Sequence, residues 1–399
     1  LAVIEPVNAA DPIRIGLSLS LTGPTSPAGK QVLAGLEIWR DDVNAAGGLL
    51  GRPVQLVYYD DQGNPASAPG IYAKLMAVDR VDLLIGPYST NVIAAALPAI
   101  IQANRTTIGI FGLGANKTFR YPRYFSMNSQ GPSPGNYSKC VFDLALEQTP
   151  RPSRIALIGA DVEYSRNALD GARENAKVLG FDVVFERTYP LATTEFTAIV
   201  RALQAANPDV VYAATLPVDT AGIIRAANEI KFKPKMIGGA MLGLLVTGIK
   251  QQLGPLINGY ISNEFYIPAP SLQFTGTKRM MEEYQRRTAA LGTDPLGYTY
   301  PPYAYAAGQI LAKAVLETKS LNDDVLADYM RKTTFDTIIG PISFGPDGEW
   351  TKPRIICIQF QGITGGDLEQ FKDWSRQVVV YPAEYRAGPL IYPFEKASP

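Results

Sequence analysis

The chain contains no histidine in 399 residues. That absence removes the commonest general base, the commonest metal ligand and the side chain that titrates near neutrality. Histidine-dependent serine hydrolases and histidine-based zinc sites are thereby excluded. Cysteine is scarce: Cys140 and Cys357 stand far apart with no CxxC spacing, which argues against a thiol redox centre or a cysteine metal site. Two semi-buried thiols are the simplest expectation, and a disulfide is conceivable because both fall in one domain on the layout below. No charge of either sign is in excess, since Lys plus Arg and Asp plus Glu are 37 each, so no global field draws the chain to nucleic acid or an anionic membrane. Long hydrophobic runs are also missing. Ala240–Ile249 and Val92–Ile101 fall short of the ~18 residues that would span a bilayer, so a soluble protein without membrane insertion is expected. No GxGxxG, GxxxxGK[ST] or G-x-S-x-G loop is present. No cofactor is implied, and an enzyme on a doubly wound fold is the weaker reading, although Ser-Lys or carboxylate-pair chemistry stays open.

What is present is a length sufficient for two domains and a 46% hydrophobic content able to fill their cores. Strand-like and helix-like runs alternate. Ile13–Leu19, Val54–Tyr59, Val81–Ile85 and Thr106–Phe111 read as strands, with helical spacing between them at Val32, Leu36, Trp39 and Val43, in Ala66–Val78 and in Val92–Ile101. Such alternation predicts a mostly parallel sheet with helices on both faces. A second series begins after Gly131-Pro132-Ser133-Pro134-Gly135, with strands at Ile155–Ile158, Val183–Tyr189, Val210–Ala214, Met236-Ile237 and Tyr260–Phe265. Two helical patterns, Leu272–Leu291 and Tyr303–Thr318, have no strand to follow and are expected to pack back on the first sheet. Ile355–Gln361 then returns as a strand to the second, and the Tyr- and Pro-rich tail from Tyr381 is expected along the surface. Three crossings result, near Asn128–Gly131, Tyr266–Pro270 and Phe335–Gly340. The expected fold class is α/β, with two doubly wound parallel-sheet lobes joined by three crossover segments: residues 12–129 plus 268–335 form one lobe, 130–267 plus 336–399 the other. Asn8-Ala9-Ala10-Asp11 resembles the small-residue end of an export signal, which predicts a processed secretory protein.

The loops carry a recognisable pattern. Leu21-Thr22-Gly23-Pro24 with Gly29, then Asn44-Ala45-Ala46-Gly47-Gly48-Leu49-Leu50-Gly51-Arg52-Pro53, Asp60-Asp61, and Ile85-Gly86-Pro87-Tyr88-Ser89-Thr90 together resemble the type I periplasmic solute-binding proteins, and within them the branched-chain amino-acid receptors of ABC importers. The resemblance runs from about Ile13 to Phe360. It implies a Venus-flytrap pair of lobes that close on a ligand, export to the periplasm, an ABC permease as partner and a monomeric receptor that is not an enzyme. A ligand-sensing ectodomain shares the same architecture.

The resemblance also places the site. Ser89 and Thr90, beside Tyr88, match the hydroxyl positions that cap a helix and bind the ligand carboxylate, as hydroxyl and N–H groups at a helix start favour negative charge. Leu113, Gly114 and Ala115, followed by Asn116, match the second loop of the carboxylate cradle. Tyr164 matches the aromatic residue that reaches across the cleft, Leu216 and Pro217 match side-chain contacts, and Thr22 and Ala28 border the cleft. Relatives usually carry a glutamate for the ligand ammonium where this chain has Ala240 beside Met241. An ammonium buried without a counter-charge costs several kcal/mol, so the expected ligand is a small carboxylate, aromatic or branched, without an α-ammonium, unless Asp219 or Glu264 substitutes. Tyr88, Phe111, Tyr164, Tyr266 and Met241 are candidates for apolar lining.

Overall fold

The computed structural model describes residues 11–397; the Asn8-Ala9-Ala10 segment lies outside them. The first lobe opens with β1 (Ile13–Leu19), α1 (Ser26–Ala45), β2 (Val54–Asp60), α2 (Ala68–Ala77), β3 (Leu83–Tyr88), α3 (Thr90–Gln102), β4 (Thr107–Ile110) and β5 (Tyr124–Met127). Its sheet is all parallel in the order β2-β1-β3-β4-β5. The chain then crosses into α4 (Asn136–Leu146), β6 (Arg154–Ala160), α5 (Glu163–Leu179), β7 (Asp182–Tyr189), α6 (Thr197–Ala206), β8 (Val210–Thr215), α7 (Pro217–Glu229), β9 (Met236–Met241), α8 (Thr247–Leu253) and β10 (Ile261–Glu264). The first four residues of β3 are buried hydrophobics or glycine, as a sheet covered by helices on both faces requires.

After β10 come α9 (Thr277–Leu291), α10 (Tyr300–Thr318) and α11 (Asp323–Lys332). As expected from their lack of strands, α9 and α10 lie on the first lobe. The approach of α10 to α1 is close enough to demand glycine: a Cβ on Gly308 would fall 2.2 Å from the Trp39 ring, and one on Gly35 2.4 Å from the Pro301 carbonyl oxygen. The remaining strands are β11 (Phe335–Thr337), β12 (Gly340–Ile342), β13 (Ile356–Phe360) and β14 (Gln377–Tyr381). Both β13 and β14 join the second sheet antiparallel, giving the order β14-β13-β10-β9-β8-β6-β7.

Three features depart from the sequence reading. The return to the second lobe comes later than residue 336. Phe344 packs on Phe125 of β5, Trp350 stacks on Tyr303 of α10 and donates its indole N–H to the Ser126 carbonyl at 2.9 Å, so the β11–β12 hairpin and the turn after it cover the first sheet. A burst of β-propensity after a glycine turn did not reveal which sheet it would cover. Second, Gln377–Tyr381 is an edge strand, and the tail beyond it is pinned by Phe394 against Tyr260. Third, Cys140 and Cys357 are disulfide-bonded rather than free, tying α4 to β13 inside the second lobe with Cα atoms 6.2 Å apart.

That bond closes a loop across 217 residues, so it restricts the unfolded chain strongly. Replacing both cysteines by serine is expected to lower stability by about 2–5 kcal/mol, read as a lower urea midpoint. A second test concerns Glu349, buried beneath the Phe344–Trp350 turn. Burial pushes its carboxyl up to about 8, offset only in part by the Ser126 hydroxyl. The folded state therefore holds a proton that the unfolded chain has released, and this contribution to stability, complete at acid pH, is lost as pH rises through about 8. Glu349→Gln should flatten the decline of melting temperature between pH 5 and 9 relative to the native protein; parallel curves would contradict the assignment.

Candidate functional site

The site is built on the junction between β3 and α3. Its strand end, Gly86-Pro87-Tyr88, runs into Ser89, whose backbone sits at φ 75°, ψ 145°. That conformation is nearly exclusive to glycine and costs a serine about 1–3 kcal/mol. Its N–H is held by the Ile110 carbonyl at 3.1 Å, and its own carbonyl accepts from Ile93 at 2.9 Å. The turn thus presents the first N–H groups of α3, which have no intrahelical acceptor, to the space between the lobes. A second strand-end residue, Phe111 after β4, is likewise held at positive φ, 58°.

The lobes meet across this junction. Asn91 of α3 accepts the Tyr164 backbone N–H at 3.1 Å, and Asn167 of α5 donates to the Leu113 carbonyl at 2.8 Å. Two helix starts therefore face each other over one cavity. Its wall comprises Thr25, Tyr88, Ser89, Thr90, Asn91, Phe111, Asn128, Tyr137, Tyr164, Leu216, Leu242, Leu245, Phe265 and Tyr300. No Asp, Glu, Lys or Arg is among them. Edge-to-face contacts join rings from both lobes and from α10: Phe111 to Phe265 at 4.7 Å, Phe111 to Tyr300 at 5.1 Å, Tyr88 to Tyr300 at 5.6 Å, and Tyr137 to Tyr164 at 5.8 Å. Burial drives the phenols of Tyr88, Tyr137, Tyr164 and Tyr300 far above the usual tyrosine value, so all four are neutral hydrogen-bonding groups.

Of the residues singled out from the sequence, the structure brings Tyr88, Ser89, Thr90, Phe111, Tyr164 and Leu216 to this wall, whereas Tyr266 is buried away from it with its hydroxyl accepting from Gln273 at 3.0 Å. The others stand elsewhere. Thr22 is exposed and its hydroxyl donates to Asp60 at 2.6 Å. Ala28, Ala115 and Met241 are packed in cores, and Pro217 begins α7. Leu113 has its N–H taken by the Thr90 hydroxyl at 2.9 Å and its carbonyl by Asn167, so its backbone braces the cradle from behind. Gly114 and Asn116 line a separate depression with Lys117 and Arg120, and the Asn116 amide is spent on Tyr121 and Asp347 carbonyls. Ala240 contributes only its carbonyl, which accepts from the Tyr164 hydroxyl at 3.1 Å.

Neither possible substitute for the missing glutamate faces the cavity. Asp219 accepts from the Tyr189 hydroxyl at 3.3 Å and the Leu216 N–H at 3.4 Å. Glu264 is buried beside Lys250 in another small cavity; burial raises its carboxyl to about 8, and Lys250 pulls it back only in part. Sequence reading missed Thr25, Asn91, Asn128, Tyr137, Leu242, Leu245, Phe265 and Tyr300 as wall residues. Only the excess of tyrosine, 21 in all, hinted at such a lining.

Two α/β lobes linked by three strands of chain and closing over an uncharged, aromatic cavity define a two-lobed solute receptor. The chain belongs to the periplasmic binding protein family, whose model matches residues 12–360. A Leu/Ile/Val-binding protein homolog from Brucella abortus is 25% identical over 369 residues, which cover 90% of this chain and 93% of the relative. Two solved structures share the fold at 18% identity. The branched-chain amino acid transporter substrate binding protein LivJ from Streptococcus pneumoniae, in complex with isoleucine, superposes with a TM-score of 0.73 and covers 96% of this chain and 100% of its own. An ABC transporter solute binding protein from R. palustris, in complex with benzoate, gives 0.75 over 95% of this chain and 97% of its own. Among the described residues, no helix is long and apolar enough to cross a membrane, and no group of acidic, Cys or His side chains is placed to hold a metal ion.

The strained turn generates a testable trade-off. Ser89→Gly should stabilise the ligand-free protein by about 1 kcal/mol by relieving the backbone. It should also weaken ligand binding several-fold through the lost hydroxyl, measured by denaturation and titration calorimetry on one preparation. A glycine variant that is less stable than the native protein would contradict the strain.

Proposed function

We propose that the protein is the extracytoplasmic receptor of an ABC importer, taking up a small carboxylate without an α-ammonium, aromatic or branched, and delivering it to a membrane permease as a monomer. The observation that carries this reading is the charge-free wall of the interlobe cavity. A carboxylate is stabilised there by N–H groups and hydroxyls at the start of α3, through Ser89 and Thr90, with the partial positive end of the helix behind them. An α-ammonium would lie in the same space with no anion to meet it, at a cost of several kcal/mol. The benzoate complex of the R. palustris protein supports this choice by likeness of fold. The Brucella and pneumococcal relatives, by their names and by bound isoleucine, support the alternative of an amino-acid receptor.

The lobe limits follow the crossings: residues 12–129 and 268 to about 350 on one side, 130–267 and about 355 to 397 on the other, with the cavity between. The mechanism is a two-state hinge. Contacts from α3 and Tyr88 on one lobe and Tyr164 and Leu216 on the other make the closed form the one that ligand favours.

A thermal-shift screen of α-amino acids, their deaminated keto- or aryl-carboxylates, and neutral amides tests the reading. Ligand at 100 times its dissociation constant contributes about 2.7 kcal/mol, a shift of several degrees. Shifts are expected with the carboxylate panel alone; equal shifts with leucine and its keto-acid would overturn it. Tyr164→Ala should weaken binding by at least about tenfold and leave more of the ligand-bound protein open by small-angle scattering.

A further inference from the structure

The hydrogen-bonding capacity of the cavity is polarised from end to end. At the α3 end the groups are donors. The Thr90 oxygen already accepts from Leu113, so its proton is free to be given, and it stands beside the N–H groups of the first turn. Toward the aromatic end the balance reverses. The Tyr164 hydroxyl lies 3.1 Å from the Ala240 carbonyl and 3.2 Å from the Tyr137 hydroxyl. A carbonyl can only accept, and a phenol carries one proton. Tyr164 must therefore donate to Ala240, and Tyr137 must donate to Tyr164 for both contacts to be hydrogen bonds. The Tyr137 proton is then committed, and its oxygen remains an acceptor on the cavity wall.

We infer that the ligand is a hydroxylated aromatic carboxylate, whose ring hydroxyl donates to the Tyr137 oxygen while its carboxylate sits at the start of α3. This rests on the carboxylate reading above and narrows it. Tyr164 itself reaches toward both ends: its backbone N–H donates to the side chain of Asn91, one residue past Thr90, and its hydroxyl meets Ala240 and Tyr137. The rings of Phe111, Phe265 and Tyr300 surround the intervening space. An ether or halogen at the same ring position has no proton to give, and it would face a lone pair in a desolvated site.

Titration calorimetry with benzoate, 3-hydroxybenzoate, 4-hydroxybenzoate and 4-methoxybenzoate tests this directly. One hydroxy isomer is expected to bind about tenfold more tightly than benzoate, with 4-methoxybenzoate no better than benzoate. Benzoate or the methoxy compound equalling both hydroxy isomers would overturn the inference and leave the carboxylate reading standing; amino acids binding while all four benzoates fail would overturn both. Tyr137→Phe should reduce the hydroxyl preference to within about twofold, and a preference that survives unchanged excludes Tyr137 as the acceptor. Tyr164→Phe provides an independent check should the first variant fail to fold. It deprives Tyr137 of the oxygen it donates to, freeing that proton for the ligand, so the methoxy compound should gain on the hydroxy compound; an unchanged ratio would refute the proposed direction of the chain.

Discussion

The cavity depends on the backbone of one residue. Ser89 occupies a conformation that only glycine adopts freely, and holding it there fixes where α3 starts. From that start follow the Thr90 bond to Leu113, which locks the two loops of the first lobe together, and the Asn91 bond to Tyr164, which ties the first lobe to the second. The strain is offset by the Ile110 and Ile93 backbone bonds on either side of the residue. A relaxed turn would not aim the helix start into the cleft.

Closure is the second consequence. Moving a hinge from mostly open to mostly closed requires a differential affinity of about 5.5 kcal/mol. One lobe's contacts cannot supply that difference, because they are present in both states. The interlobe bonds beside the cavity, Asn91 to Tyr164 and Asn167 to Leu113, are neutral and worth about 1 kcal/mol net each; farther away, Thr247 of α8 donates its N–H and its hydroxyl to the Asp294 carboxylate at 2.7 Å. On the proposed hinge, ligand contacts with the second lobe supply part of that difference, and Tyr164 and Leu216 would then bear more on closure than on initial capture.

The lobes and their sheets were legible in the sequence because alternation of apolar strands with 3.6-periodic helices is a local signal. The start of α3 was legible for the same reason: Ser89 and Thr90 form a compact motif at a strand end. The far wall was not. Tyr137 lies at the second residue of α4, Phe265 just past β10 and Tyr300 at the first residue of α10, three positions that only the crossings bring together. The second-loop residues Gly114 to Asn116 misled for a related reason. Their composition reads as a ligand cradle, but Leu113 spends its backbone on bracing Thr90, and Asn116 spends its amide on the turn behind. The third crossing was misplaced because a short hairpin bears no mark of the sheet it covers; Phe344 and Trp350 are apolar enough for either.

An uncharged site suits a receptor that must surrender its cargo. A fully buried ion pair breaks slowly, since opening it leaves charge unsolvated in a low-dielectric space. On the proposed reading the ligand charge is met by dipoles at the mouth of a helix, and the rest of the binding energy is ring burial and neutral hydrogen bonds. Each of these weakens smoothly as the lobes part and water enters. The same neutrality transfers discrimination from charge to proton inventory. In a site where four phenols remain un-ionised across the physiological range, the direction in which each gives its single proton decides which ligand groups are accepted. That direction is anchored at one backbone carbonyl, Ala240, the position where the resemblance leads one to expect a glutamate. On the proposed reading no ammonium is met there, and the buried Ala240 carbonyl orients Tyr164 and through it Tyr137.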